Sequence, residues 1–170
     1  LRQFIEREIS HVYRNGQPLS LAILDIDHFK EVNDQFGHDV GDQILKQLAG
    51  FFKNFCRSTD LAARYGGEEF IAVLPNTNQN ASLIWAERMR EHAEASLRRP
   101  DAGKVTISIG VTTLLVEAES SMDISIQTAS DQLFKKADNA LYKAKHAGRN
   151  HVVTSETSID CLNFILCIFS

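Results

Sequence analysis

The chain has 170 residues, 44% hydrophobic and 24% charged, with 18 basic and 22 acidic residues and a formal net charge of −4. That is the composition of one ordinary globular domain able to bury a sizeable core. The acidic balance argues against broad electrostatic binding to a nucleic-acid polymer, though a metal and a few local cations can neutralise a nucleotide's phosphates.

Leu1, Phe4, Ile5, Ile9 and Val12 recur at helical spacing, so residues 1–13 are expected to form an amphipathic helix ended by Asn15-Gly16. Ser20 to Ile26 is a continuous apolar run that meets an acid, too short for a helix, and predicts a central strand buried on both faces. A polar patch follows. Val40, Ile44, Leu45, Leu48, Phe51, Phe52 and Phe55 then mark a long helix to about Arg57. Residues 60–65 and 69–74 form the arms of a hairpin around Gly66-Gly67, where both glycines can take φ > 0. Residues 81–97 are a helix, 105–113 an alternating β-branched strand, 117–125 a polar linker and 126–145 a helix closed by Gly148. Residues 151–154 make a last short strand.

This order predicts an α/β (α+β) fold with a central mixed five-stranded sheet flanked by helices and a ferredoxin-like β-α-β-β-α-β core. The domain is expected to span 1–154, with a tail of unassigned role over 155–170. Cys56, Cys161 and Cys167 match no zinc pattern and imply no disulfide framework, which fits a reducing, cytoplasmic compartment. No apolar run is long enough to span a bilayer. The chain opens in mid-helix without an initiator Met, so it is expected to be a piece of a longer protein with an upstream sensor or membrane domain.

The chemistry concentrates around Arg64-Tyr65-Gly66-Gly67-Glu68-Glu69-Phe70. A turn without side chains lets a large ligand lie against the backbone, and the two acids behind it can hold a divalent metal or take a proton. Asp25 and Asp27 share one face of a strand end and repel each other unless a cation sits between them. Mg²⁺ or Mn²⁺ is the functional reading, with the Ile26 carbonyl as a further ligand; a helix cap at Asp27 is the alternative. If this strand lies beside the hairpin, Asp25 and Glu68 converge, as two-metal phosphoryl or nucleotidyl transfer needs. Lys30 is either a solvated lysine or a cation for developing phosphate charge. An Asn33 amide and an Asp42 carboxylate can read a purine, the Asp selecting guanine; turn chemistry and a helix cap are their alternatives. Lys143, Lys145 and Arg149 suit either a helix C-terminus or a triphosphate tail. His38, His146 and His151 show no metal-ligand spacing.

Four segments, in order, carry a family resemblance: Asp25-Ile26-Asp27-His28-Phe29-Lys30 continuing to Asn33-Asp34, Gly37-His38 and Gly41-Asp42; Arg64 to Phe70; Ser108-Ile109-Gly110-Val111; and Ala137-Asp138 through Gly148-Arg149-Asn150. Over about residues 1–153 the chain resembles the GGDEF domain of bacterial diguanylate cyclases, in the Gly-Gly-Glu-Glu-Phe form. The resemblance implies a nucleotidyl cyclase palm-like core that condenses two GTP into cyclic di-GMP with release of two pyrophosphates. It implies Asp25, the Ile26 carbonyl and Glu68 as ligands of Mg²⁺ or Mn²⁺, two per site, and Glu68, Lys30 and Glu69 as the catalytic set. Phe29 (through its backbone), Asn33, His38, Asp42, Gly66, Gly67, Lys145 and Arg149 would bind substrate. Each domain would hold one GTP, so a homodimer is implied. Arg57-Ser58-Thr59-Asp60, five residues ahead of the glycines, matches an Arg-x-x-Asp product-inhibition site, to be completed by Arg90; a helix-end salt bridge is the structural alternative. A non-catalytic domain that binds GTP or cyclic di-GMP is the competing function. The family's opening Asp-x-Leu-Thr turn is missing, and the apolar tail matches nothing in it.

Overall fold

The computed structural model of the protein describes residues 1–115 and 125–158. Its elements are α1 (Arg2–Asn15), β1 (Leu19–Ile26), α2 (Phe29–Phe36), α3 (His38–Phe55), β2 (Leu61–Arg64), β3 (Glu69–Pro75), α4 (Gln79–Ser96), β4 (Ile107–Leu115), α5 (Ile126–His146) and β5 (Val152–Ser158). The strands form one mixed sheet in the order β2-β3-β1-β4-β5, antiparallel except for the parallel β4–β5 pair.

β1 lies at the centre and is buried along its whole length, as its apolar run requires. Its residues alternate between two cores. Ala22, Leu24 and Ile26 pack with Val32 of α2, Ile44, Leu48 and Phe52 of α3, and Met89 of α4. Leu19, Leu21 and Ile23 pack on the other face with Ile5 and Ile9 of α1 and Leu133, Ala137 and Leu141 of α5. Asp25 continues the second set, and this parity decides which helix its carboxylate meets.

The polar patch after β1 is a helix of its own, α2, stopped by Gly37 at φ 87°. Asn33 and Asp42 therefore both lie inside helices, and neither turn chemistry nor a cap accounts for them. β5 runs to Ser158 in register with Leu115, past the boundary expected at 154. The linker expected at 117–125 falls outside the described residues except for Ser125, which caps α5 by accepting the Thr128 N–H. The tail beyond Ser158 also lies outside them. No helix among the described residues is long and apolar enough to cross a membrane.

Candidate active site

The Gly-Gly turn joins β2 to β3, and β3 lies directly against β1, with Asp25 and Glu69 opposite each other in the register. The Tyr65 N–H donates to the Glu69 carbonyl at 2.8 Å and closes the hairpin. Arg64, a residue the sequence reading did not single out, donates from Nε to the carbonyls of Gly66 and Gly67 at 3.2 and 3.1 Å. The expected positive φ at the two glycines is not observed; among the glycines only Gly16, Gly37 and Gly148 adopt it. Space, not backbone conformation, explains them. A Cβ on Gly66 would come within 2.8 Å of the Glu69 carboxylate, and a Cβ on Gly67 would meet no protein atom within 4 Å.

That open side borders a cavity of about 530 Å³ between the turn, α2 and the start of α3. Phe29, Lys30, Asn33, His38, Asp42, Gly67 and Glu68 all line it. Seven of the residues predicted from sequence thus share one concave surface. Asn33 lines it, and among the described residues its Oδ1, buried on the Gly41 side, has no hydrogen-bond partner. Gly41 makes this placement possible, because a Cβ at that position would overlap Asn33 Oδ1 and lie 3.1 Å from the Phe29 ring.

The other side of the strand end is charged. Asp25 is 6% exposed, and Lys145 of α5 reaches its Oδ2 at 2.8 Å. Burial pushes the Asp25 carboxyl up to about 6; the Lys145 hydrogen bond and charge oppose this, and Glu68 and Glu69 add to it. Asp25, Glu68 and Glu69 are therefore close enough to repel, and a divalent cation would remove that repulsion. The donors are hard oxygens, which fits Mg²⁺ or Mn²⁺. Among the described residues no three acidic, His or Cys side chains are gathered tightly enough to hold an ion by themselves. An ion here would draw the rest of its shell from main-chain carbonyl, phosphate and water.

Asp27 is neither a helix cap nor a free ligand. Its carboxylate accepts from Ser108 Oγ at 2.6 Å, Thr106 Oγ1 at 2.7 Å and the Asn150 N–H at 2.9 Å. His28, at φ 57°, takes the N-cap position of α2 without a side-chain cap bond. Arg149 is exposed, in a left-handed turn just beyond α5.

A second cavity, of about 680 Å³, contains Arg57 and Asp60 and shares Asp42, Leu45 and Arg64 with the first. The two are joined by a turn rather than by the alternative helix-end salt bridge: the Asp60 carboxylate accepts the Arg57 N–H at 2.7 Å. Like Arg88, Arg90 does not line this cavity. Its guanidinium is engaged by Glu87 at 2.8 Å, Glu94 at 3.2 Å and Asn150 at 2.9 Å. Residues two apart on a helix point to opposite sides, and the arginine on the α3 side is Arg88, 5.8 Å over the Phe55 ring two residues before Arg57.

Comparison with known proteins identifies the family and the fold. The family model described as "Diguanylate cyclase, GGDEF domain" matches residues 1–151. The diguanylate cyclase DosC of Escherichia coli K12 is 38% identical over 160 residues, covering 94% of this chain and 33% of the relative. The response regulator PleD of Caulobacter vibrioides is 41% identical over 142 residues, covering 81% of this chain and 29% of the relative. The chain thus spans about a third of the length of such relatives. Among solved structures, the active GGEEF domain of a Vibrio cholerae diguanylate cyclase superposes with a TM-score of 0.80 at 34% identity, covering 93% of this chain and 96% of that one. The GGDEF domain of DgcB from Caulobacter crescentus, in complex with c-di-GMP, gives 0.77 at 30% identity, covering 89% and 86%.

Proposed function

The chain belongs to the GGDEF domain family of diguanylate cyclases, and we propose that it condenses two GTP into cyclic di-GMP, two pyrophosphates leaving. The observation that carries this reading is the single cavity that gathers Asn33, Asp42, Lys30, Gly67 and Glu68. Asn33 accepts from the purine, and Asp42 accepts the N–H donors of its Watson–Crick edge. The phosphates pass the Phe29 backbone and Gly67 toward Lys145 and Arg149.

Asp25, the Ile26 carbonyl and Glu68 would hold Mg²⁺ or Mn²⁺, two ions per site, which when bound acidify the attacking 3′-hydroxyl and neutralise the leaving pyrophosphate. Glu68 takes the hydroxyl proton, with Glu69 beside it at the strand end, and Lys30 offsets charge on the α-phosphate oxygens. Each 3′-oxygen attacks the α-phosphate of the other GTP, so two domains face each other as a homodimer. The domain acts in the cytoplasm, under an upstream sensor or membrane segment.

The test is to incubate the protein with GTP and Mg²⁺ at high concentration, or fused to a dimerising coiled coil, and separate the products. Cyclic di-GMP is the expected product. GTP binding with no product would overturn this reading in favour of a non-catalytic binding domain. Gly41→Ala should raise KM for GTP by about tenfold while the protein stays folded, because it pushes the Asn33 amide out of the base site; an unchanged KM would remove Asn33 from base recognition.

The Arg57–Asp60 cavity would bind the product. Arg57→Ala and Arg88→Ala should each raise the cyclic di-GMP concentration needed for half-inhibition by about tenfold or more, with the initial rate unchanged. Inhibition that persists in Arg57→Ala would overturn this assignment, and a steady-state titration with added product measures it.

A further inference from the structure

Three successive residues beyond α5 have positive φ: Gly148 at 114°, Arg149 at 62° and Asn150 at 47°. Glycine tolerates this and asparagine is enriched there, but an arginine held left-handed is strained. Such a conformation persists only where its surroundings over-determine it. Here they do. The Arg149 N–H donates to the Ala144 carbonyl at 3.2 Å, and the Arg149 carbonyl lies 2.7 Å from His151 Nδ1.

Asn150 is held on three sides. Its N–H donates to Asp27 at 2.9 Å, its Oδ1 accepts from Arg90 at 2.9 Å, and its Nδ2 donates to Glu94 at 3.2 Å. Each of those partners is itself fixed. Asp27 is 4% exposed and bound by Thr106 and Ser108. Glu94 receives Lys104 Nζ at 3.0 Å as well as Arg90. The hydrogen bonds from Asn150 and Lys104 hold its carboxyl at about 2, so it stays an acceptor throughout the physiological range.

We propose that Asn150, anchored by Asp27, Glu94 and Arg90, is the positioning residue that holds Arg149 in the left-handed turn from which it meets the triphosphate tail. The set links the end of β1, the start of β4 and the last turns of α4 to one residue of the proposed phosphate site. Asp27 thereby acts on the nucleotide without touching it, and Arg90 serves the substrate rather than the product. The proposal rests on the reading of Arg149 as a triphosphate ligand.

The test titrates the 170-residue chain with an unreactive GTP analogue carrying an α,β-methylene bridge, and separately with GMP, which lacks the outer phosphates. Asn150→Ala should weaken analogue binding about tenfold and leave GMP binding unchanged. Asn150→Gly, which keeps the left-handed backbone and removes only the anchor, should also lose analogue affinity and serves if the alanine variant folds poorly. In an Arg149→Ala background, Asn150→Ala should cost nothing further, the signature of one residue acting through another. Equal losses for GMP and analogue, or additive losses in the double variant, would overturn the proposal alone. Undiminished analogue binding in Arg149→Ala would overturn the phosphate reading, and the proposal with it.

Discussion

Glu68→Gln should abolish synthesis of cyclic di-GMP, lowering kcat by at least about a thousandfold, while GTP affinity and the melting temperature change little. Three observations lead there. Glu68 lines the cavity that holds Asn33 and Asp42. It lies close enough to Asp25 to raise that carboxyl's affinity for a proton. It is also half-buried at a hairpin tip and fills no core position. Glutamine has nearly the same shape, so the turn and its Arg64 bonds to Gly66 and Gly67 survive. What is lost is a negative charge beside Asp25 and the group proposed to accept the hydroxyl proton. Removing that repulsion should raise stability slightly, so a fall in melting temperature of several degrees would point to a structural role instead. Retention of more than about a tenth of the wild-type rate, measured by product chromatography, would remove Glu68 from the chemistry.

Short-range information made much of this legible. The apolar run of β1, the arms of the hairpin and the periodicity of α3 to α5 are local patterns, and they produce the observed sheet. The residues of the cavity beside the Gly-Gly turn fell together because their spacing placed them on two adjoining helices and one turn. What the sequence did not disclose depends on contacts between distant segments. Asp27 takes its partners from residues 79 to 123 positions away, and no local pattern announces that. Arg88 and Arg90 differ by their angle around α4, which becomes visible only once the helix is set against α3 on one side and Asn150 on the other. α2 has eight residues, too few for a clear apolar period. The glycines of the turn suggested positive φ, which neither adopts; a neighbouring carboxylate crowds Gly66, and Gly67 faces open space.

Gly110→Ala should destabilise the protein by about 3 kcal/mol or more, a large part of the typical 5–15 kcal/mol of a domain, and lower the melting temperature by roughly 10 °C. Gly110 sits in β4 directly beneath α5. A Cβ there would lie 2.7 Å from the Leu141 Cα and overlap the Leu141 nitrogen and the Ala137 carbonyl oxygen. These are backbone atoms of a helix, so no side-chain rotation relieves the clash; α5 as a whole has to lift from the sheet. That motion would also pull Lys145 from its 2.8 Å contact with Asp25, so any variant that folds should lose GTP affinity in step with stability. Gly50→Ala is the control within the same chain. Gly50 is exposed within α3, and an added Cβ meets nothing within 4 Å. Alanine there should stabilise the protein by about 0.5–1 kcal/mol through helix propensity alone. Urea unfolding of the two variants should therefore shift the midpoint in opposite directions. A neutral Gly110→Ala would mean that α5 is not seated on β4 as closely as the helix backbone indicates.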